Sequence, residues 1–126
     1  MAKLLKREDL LKKQELKVEK VDLGNDEYVF VREMTGRERD RFEQSLIGEV
    51  KDNKGNVVSY ERKLEDFRAK LAVNTLCDEN GNNLLEPGDY KTLSQNMGAA
   101  RLDKIVTAAQ KLNKIADEDR EALVKN

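Results

Sequence analysis

One segment constrains this chain more than any other: Tyr28 to Leu46, YVFVREMTGRERDRFEQSL. Tyr28, Val29, Phe30 and Val31 are β-branched or aromatic, which suits a half-buried pleated surface. Thr35 follows at once and lies three residues before Glu38. At that spacing the Thr35 hydroxyl accepts from the amide of Glu38, and the Glu38 carboxylate accepts from the amide of Thr35, a capping box. A strand therefore runs directly into a capped, charged helix. The joint reads as scaffold, since none of its groups is set up for covalent chemistry.

The strand needs a partner, and the residues before it supply one. Leu16 to Leu23 read as a first strand and Glu27 to Glu33 as a second, with Gly24-Asn25-Asp26 as the turn. In the second strand Val29 and Val31 share one face, and Tyr28 and Phe30 the other. In the first, Val18 and Val21 fall on opposite faces. A lone hairpin is barely stable in water. Helices must cover this one, or another strand must extend it.

The rest reads as helical. A first helix is expected over Gly36 to Glu49, with Phe42, Leu46 and Ile47 as its apolar stripe. Residues 48–58 form a polar connection, a turn or small mobile hairpin. A second and longest helix is expected over Ser59 to Cys77. Tyr60, Leu64, Phe67 and Leu71 mark its stripe, and Arg62, Asp66 and Lys70 are i,i+4 neighbours on its wet side. Asp78 to Asn83 make a turn. Pro87 opens a short third helix ending near Gln95. A fourth spans Gly98 to Leu112, where Leu102, Ile105, Val106, Ala109 and Leu112 form a one-sided stripe and Asn113 ends it. A last short helix is expected from Asp117, fraying at Lys125-Asn126. Residues 1–15 read as a mobile arm with a marginal helix. The expected fold class is thus α+β, predominantly helical: one domain over residues 1–126, with a hairpin at 16–33 and four to five helices over 36–124.

Composition decides which kinds of function fit. Charged residues make up 39% of the 126, against 38% hydrophobic, where a charged share of about 25% is usual. A narrow core under a heavily solvated surface follows. The 24 Lys and Arg nearly cancel the 25 Asp and Glu, so no large field of one sign favours nucleic acid. The first twenty residues differ. Seven cations (Lys3, Lys6, Arg7, Lys12, Lys13, Lys17, Lys20) oppose four carboxylates (Glu8, Asp9, Glu15, Glu19). They form a solvated arm, with phosphate contact as the alternative. The single cysteine fits a reducing compartment. No apolar run approaches the roughly 20 residues that span a bilayer. No secretory signal stands at the N-terminus, so the chain reads as soluble and intracellular.

Catalytic groups are scarce. There is no histidine, which removes the commonest general base and metal ligand. Cys77, ending an apolar helix, reads as a small buried thiol. Asp78, Asn80 and Asn82 alternate as calcium ligands do. Asn83, however, stands where a calcium loop needs Gly, and Asp89 where it needs Glu. The loop Asp52 to Asn56 is weaker still, and both read as turns. Glu61 and Glu65 read as solvated surface. Arg37 and Arg41 share a helix face that Arg39 does not, so they make no single basic ridge. No catalytic, cofactor-binding or metal residue is therefore assigned, no cofactor is expected, and an enzyme is the least favoured reading.

Taken in order, these pieces resemble the phage tail assembly chaperones of long-tailed phages and prophages. The segment YVFVREMTGRERDRFEQSL resembles their N-terminal signature, an extended segment with a "VRE" step and a Thr- or Ser-capped charged helix. The segment LAVNTLCDENGNNLLEPGDYKTLSQNMGAARLDKIVTAAQKLN resembles their second half. It runs from an apolar helix end through an acidic turn and a short helix before Leu93-Ser94 to an amphipathic helix closing on Leu112-Asn113. The resemblance covers residues 16 to 122. It implies a non-catalytic protein that binds and solubilises the tape measure protein during tail morphogenesis. It also implies a longer frameshifted form that recruits tail tube protein. The implied location is the cytoplasm of the infected or lysogenic host, outside the mature virion. Coating a long client further implies head-to-tail self-association through an open contact. The helix-four stripe or the outer hairpin face would contribute to it, and no individual contact residue is named. The alternatives are a head–tail joining or minor tail protein, and a small nucleic-acid-binding regulator using the basic arm.

Overall fold

In the computed structural model, which describes residues 2–115, the N-terminal hairpin is extended and covered at once. Strands β1 (Val18–Gly24) and β2 (Glu27–Arg32) pair antiparallel, with Val21 opposite Val29 and Asp22 opposite Tyr28. Their turn runs through three consecutive positive φ values, 87° at Gly24, 54° at Asn25 and 61° at Asp26. Those residue types pay least for the left-handed region. A two-residue strand β5 (Leu76–Cys77) then adds to the far edge of β2, again antiparallel, setting Leu76 against Val31 and Cys77 against Phe30.

Strand alternation puts Val21, Leu23, Val29, Val31 and Leu76 on one face of this three-stranded sheet. Helix α5 (Ala99–Leu112) lies against it and buries Leu102, Ile105, Val106 and Ala109. Helix α3 (Phe67–Thr75) packs beside α5 and is almost wholly interior: Phe67, Ala69, Leu71, Ala72, Val73 and Thr75 are buried. Helix α2 (Gly36–Gln44) contributes Phe42, whose ring meets Phe67 edge-on at 5.6 Å and 63°. A 3₁₀ turn at Pro87–Asp89 leads into α4 (Tyr90–Asn96), which leans on α3. The five-residue α1 (Arg7–Leu11) buries none of its residues.

The α+β class agrees with the sequence, but helix outweighs strand only modestly. The first expected helix stops at Gln44 rather than Glu49. Ser45 caps it, donating its hydroxyl to the Phe42 carbonyl at 2.5 Å. The second expected helix loses its first half. The turn or small hairpin expected at 48–58 is a hairpin, but a longer one: β3 (Ile47–Lys51) and β4 (Val57–Arg62) take over the end of the first expected helix and the start of the second. Ile47, Val50, Val57, Val58 and Tyr60 prefer extended backbone, and pairing with one another outweighs the i,i+4 stripe from Tyr60 to Leu64. The hairpin closes where the Lys63 amide donates to the Leu46 carbonyl at 2.6 Å. Asp66 sits at φ 64°, left-handed, so no helix runs through it. Arg62, Asp66 and Lys70 consequently do not share a helix face. The helix expected from Asp117 and the fraying at Lys125-Asn126 lie outside the described residues. No helix among the described residues is long and apolar enough to cross a membrane.

Candidate functional site

The capping box forms as its spacing requires. The Glu38 amide donates to the Thr35 hydroxyl at 3.2 Å, and the Thr35 amide to Glu38 Oε1 at 2.9 Å. The same carboxylate does a second job that spacing does not reveal. Arg32, at the end of β2 and only 5% exposed, donates Nη1 to Glu38 Oε1 at 2.9 Å and Nη2 to Oε2 at 2.6 Å. Arg32 Nη2 also donates to Asn83 Oδ1, and Asn83 Nδ2 donates back to Glu38 Oε2. Burial works against ionisation of Glu38. The hydrogen bonds from Arg32, the Thr35 amide and Asn83, with the Arg32 charge, outweigh it and hold the carboxyl at about 2.

The chain beyond α5 joins the same network. Asn113, the residue that ends α5, accepts from the Met34 amide at 2.7 Å and donates to the Ala109 carbonyl at 2.9 Å. Its own carbonyl accepts from Arg39 Nη1 at 2.8 Å. Arg32, Glu38, Asn83 and Asn113 thus tie β2, α2, the loop after β5 and the end of α5 together. This cluster fixes positions. Its carboxylate accepts from Arg32, the Thr35 amide and Asn83, and both Nη groups of Arg32 are engaged while its buried Nε has no partner, so the cluster holds no free carboxylate to act as a base.

The remaining residues singled out in the sequence fall in separate places. Cys77 is buried; desolvation pushes its thiol up, with Arg32 pulling the other way and Asp78 adding to the rise. Asp78 Oδ1 accepts from the amides of Asn80 and Asn82 at 2.8 and 3.0 Å, and Gly81 turns the chain at φ 82°. Asp52 repeats the arrangement with the amides of Lys54 and Asn56 at 2.8 and 3.0 Å and Gly55 at φ 84°. Amide donors, chiefly from Asn82 and Asn56 respectively, lower both carboxyls. The two acidic loops are one structure, Asp-x-x-Gly-Asn, used twice. Among the described residues no three His, Cys, Asp or Glu side chains gather as a metal site would need. Arg37 and Arg41 are exposed, whereas Arg39 pairs with Glu43 at 3.0 Å. Glu61 lies on β4 and Glu65 in the bend before α3, both exposed.

The exposed apolar surface is the feature that a protein acting by contact requires. The stripe on α5 is spent on the core, apart from the half-buried Leu112. The outer hairpin face keeps Tyr28 exposed beside Phe30, ring to ring at 5.5 Å and 83°, with Lys20 Nζ 4.2 Å from the Tyr28 centroid. Three further apolar surfaces were given no contact role from the sequence, where the arm leucines read only as scattered apolar points. The β3–β4 hairpin stands off the core with Ile47, Val57, Val58 and Tyr60 in solvent, Tyr60 68% exposed. The arm carries Leu4, Leu5, Leu10 and Leu11 outward. A groove of about 450 Å³ between α4 and α5 is lined by Leu85, Leu93, Met97 and Arg101 among others. The β-branched run at 57–58 and the paired leucines were the available signals.

These elements define a class of fold: an N-terminal hairpin extended by a short third strand, covered by a long C-terminal helix, with a second hairpin projecting from between the helices. The solved structure of the bacteriophage HK97 tail assembly chaperone is similar to it. The two superpose with a TM-score of 0.50 at 14% identity, over 77% of this chain and 85% of that one. The resemblance to tail assembly chaperones read in the sequence is therefore met at the level of fold. No protein-family model matches the chain, and no curated protein matches it.

Proposed function

We propose that this chain is a phage tail assembly chaperone that works by contact and carries no catalytic centre. The observation that carries the reading is the fold shared with the HK97 tail assembly chaperone across 77% of the chain. The apolar surface left open on the second hairpin, the arm and the α4–α5 groove supports it. On this reading the client is the tape measure protein, a long helical chain kept soluble until tube subunits polymerise around it. An amphipathic helix meets a groove in this way in other recognition systems. A longer, frameshifted form would bring tail tube protein to the same place, and copies of the chain would associate head to tail along the client. The chaperone would act in the host cytoplasm and be absent from the finished particle.

Co-expression with the tape measure protein of the same phage tests this directly. The expected result is a soluble complex that survives pull-down, where the client alone precipitates. A client equally insoluble with and without this chain overturns the reading. Mass spectrometry of purified particles separates it from a head–tail joining protein, which would persist in the virion.

A further inference from the structure

A second cavity, of about 420 Å³, opens where α2, α3 and the 3₁₀ turn meet. Its apolar lining comes from Val73, Leu85, Pro87 and the ring of Tyr90. Two cations reach it from different helices. Lys70 spends one N–H on the Ser45 carbonyl at 2.9 Å and lies 5.3 Å from the Tyr90 ring centroid, leaving two donors. Arg41 is exposed, and among the described residues its guanidinium enters no ion pair. The carboxylate on the wall, Glu38, is already neutralised by Arg32. The cavity therefore combines two cations with an apolar lining.

We propose that this cavity binds an acidic side chain of a helical polypeptide, the carboxylate between Arg41 and Lys70 and its methylene stem on Val73, Leu85 and Tyr90. Charge complementarity selects the carboxylate. A guanidinium and an ammonium together offer donors from two directions, and a partly enclosed site weakens the competition from water. The apolar lining selects a side chain with a stem, as glutamate has, over a bare anion. The proposal deepens the chaperone reading, on which it rests for the identity of its partner. It says that the client presents glutamate beside leucine on one helix face.

The probe is a fluorescein-labelled amphipathic peptide with glutamate and leucine on one face, against a counterpart with glutamine in place of each glutamate. Fluorescence anisotropy with the full chain should show the acidic peptide binding more tightly, and the preference should shrink as salt rises. Arg41→Glu should weaken the acidic peptide about tenfold, a loss typical of reversing one charge at a contact. Amide NMR shifts should move at Ser45, Asn74 and Tyr90. Equal binding of both peptides, or an Arg41→Glu variant that binds as well as the parent, overturns the proposal. Arg41 is exposed and, among the described residues, enters no ion pair, so the variant should keep its fold; a circular dichroism melt checks that. The two readings fail separately. If Arg41→Glu protects the tape measure protein as well as the parent does, the cavity proposal falls and the chaperone reading stands. If the acidic peptide binds in the cavity but no tape measure protein is protected, the reverse holds.

Discussion

Arg32 and Glu38 face each other through two parallel hydrogen bonds, at 2.9 and 2.6 Å, with the guanidinium almost wholly buried. Buried pairs of this kind add little over a well-packed apolar pair, but removing one partner strands the other charge. Glu38→Ala should therefore destabilise the fold by about 3 kcal/mol. A urea titration should show the midpoint fall at unchanged slope. A variant within 0.5 kcal/mol of the parent, about what an ordinary surface substitution changes, would mean that water reaches Arg32 and that the pair is not the lock described here.

The same pair sets an acid limit. The Glu38 carboxyl is held at about 2, below its ordinary 4.5. A depressed carboxyl contributes its stability in full above the ordinary value and loses it as pH falls through the folded one. The loss belongs between about pH 4.5 and 2. In Glu38→Gln the stability at pH 7 should drop while the steepness of the acid limb shrinks. Thermal melts at pH 7, 4.5 and 3 for both proteins read this out. Parallel curves would assign the acid sensitivity elsewhere.

How much of this was legible in the sequence follows from the range of each interaction. The capping box, the first hairpin, the Asp78 turn and α5 with its Asn113 stop are encoded within a few residues, and all appear where the pattern placed them. The second hairpin, expected only as a turn or small hairpin within 48–58, reaches out to Ile47 and Arg62; its second strand was read as helix because Tyr60, Leu64, Phe67 and Leu71 satisfy helical spacing, while the competing evidence lay upstream in Ile47 and Val50. Pairing across a turn decided the outcome. Likewise Glu38 reads as a helix cap from its neighbours alone. That it also holds Arg32, six residues earlier across the strand–helix joint, and Asn83, 45 residues later, depends on how the strand and the loop are brought to the helix, which the cap pattern does not carry.

Asn113 illustrates the same point at a helix end. It stops α5, and it also accepts from the Met34 amide, 79 residues earlier. Asn113→Ala leaves that part-buried amide without its acceptor and removes the cap. The expected cost is about 2 kcal/mol, above the loss of one hydrogen bond because a donor is orphaned. Hydrogen exchange at Met34 should accelerate beyond the global change. Exchange that rises only in step with global stability would show that Met34 finds another acceptor.

The duplicated Asp-x-x-Gly-Asn loop allows a controlled comparison. Gly55 and Gly81 share a φ near +83°, at 84° and 82°, and an added Cβ meets nothing within 4 Å at Gly55 and only Val18 Cγ2 at 3.7 Å at Gly81. Backbone strain alone should then cost about 1 kcal/mol for alanine at either site. The readout should differ. Gly81 sits in the loop that delivers Asn83 to Glu38, so Gly81→Ala should lower global stability. Gly55 sits at the tip of a hairpin with little packing, so Gly55→Ala should raise local exchange in β3 and β4 and leave the global melt nearly unchanged. Equal global losses would show that the second hairpin is part of the cooperative unit.

That hairpin gives the most direct separation of folding from contact. Val58 and Tyr60 are 61% and 68% exposed and make no contribution to the core. Replacing both with threonine keeps strand propensity and removes apolar surface. Stability should therefore stay within about 0.5 kcal/mol of the parent, as for surface substitutions generally. An apolar pair held in solvent on a strand invites pairing with another chain, so its removal should lower self-association in sedimentation runs across a concentration range. On the proposed chaperone reading, it should also weaken capture of the tape measure protein if the hairpin forms part of the client surface. A Val58→Thr, Tyr60→Thr variant that melts and associates like the parent, and captures the proposed client as well, would remove the hairpin from the proposed contact surface, leaving the α4–α5 groove and the arm as its remaining candidates.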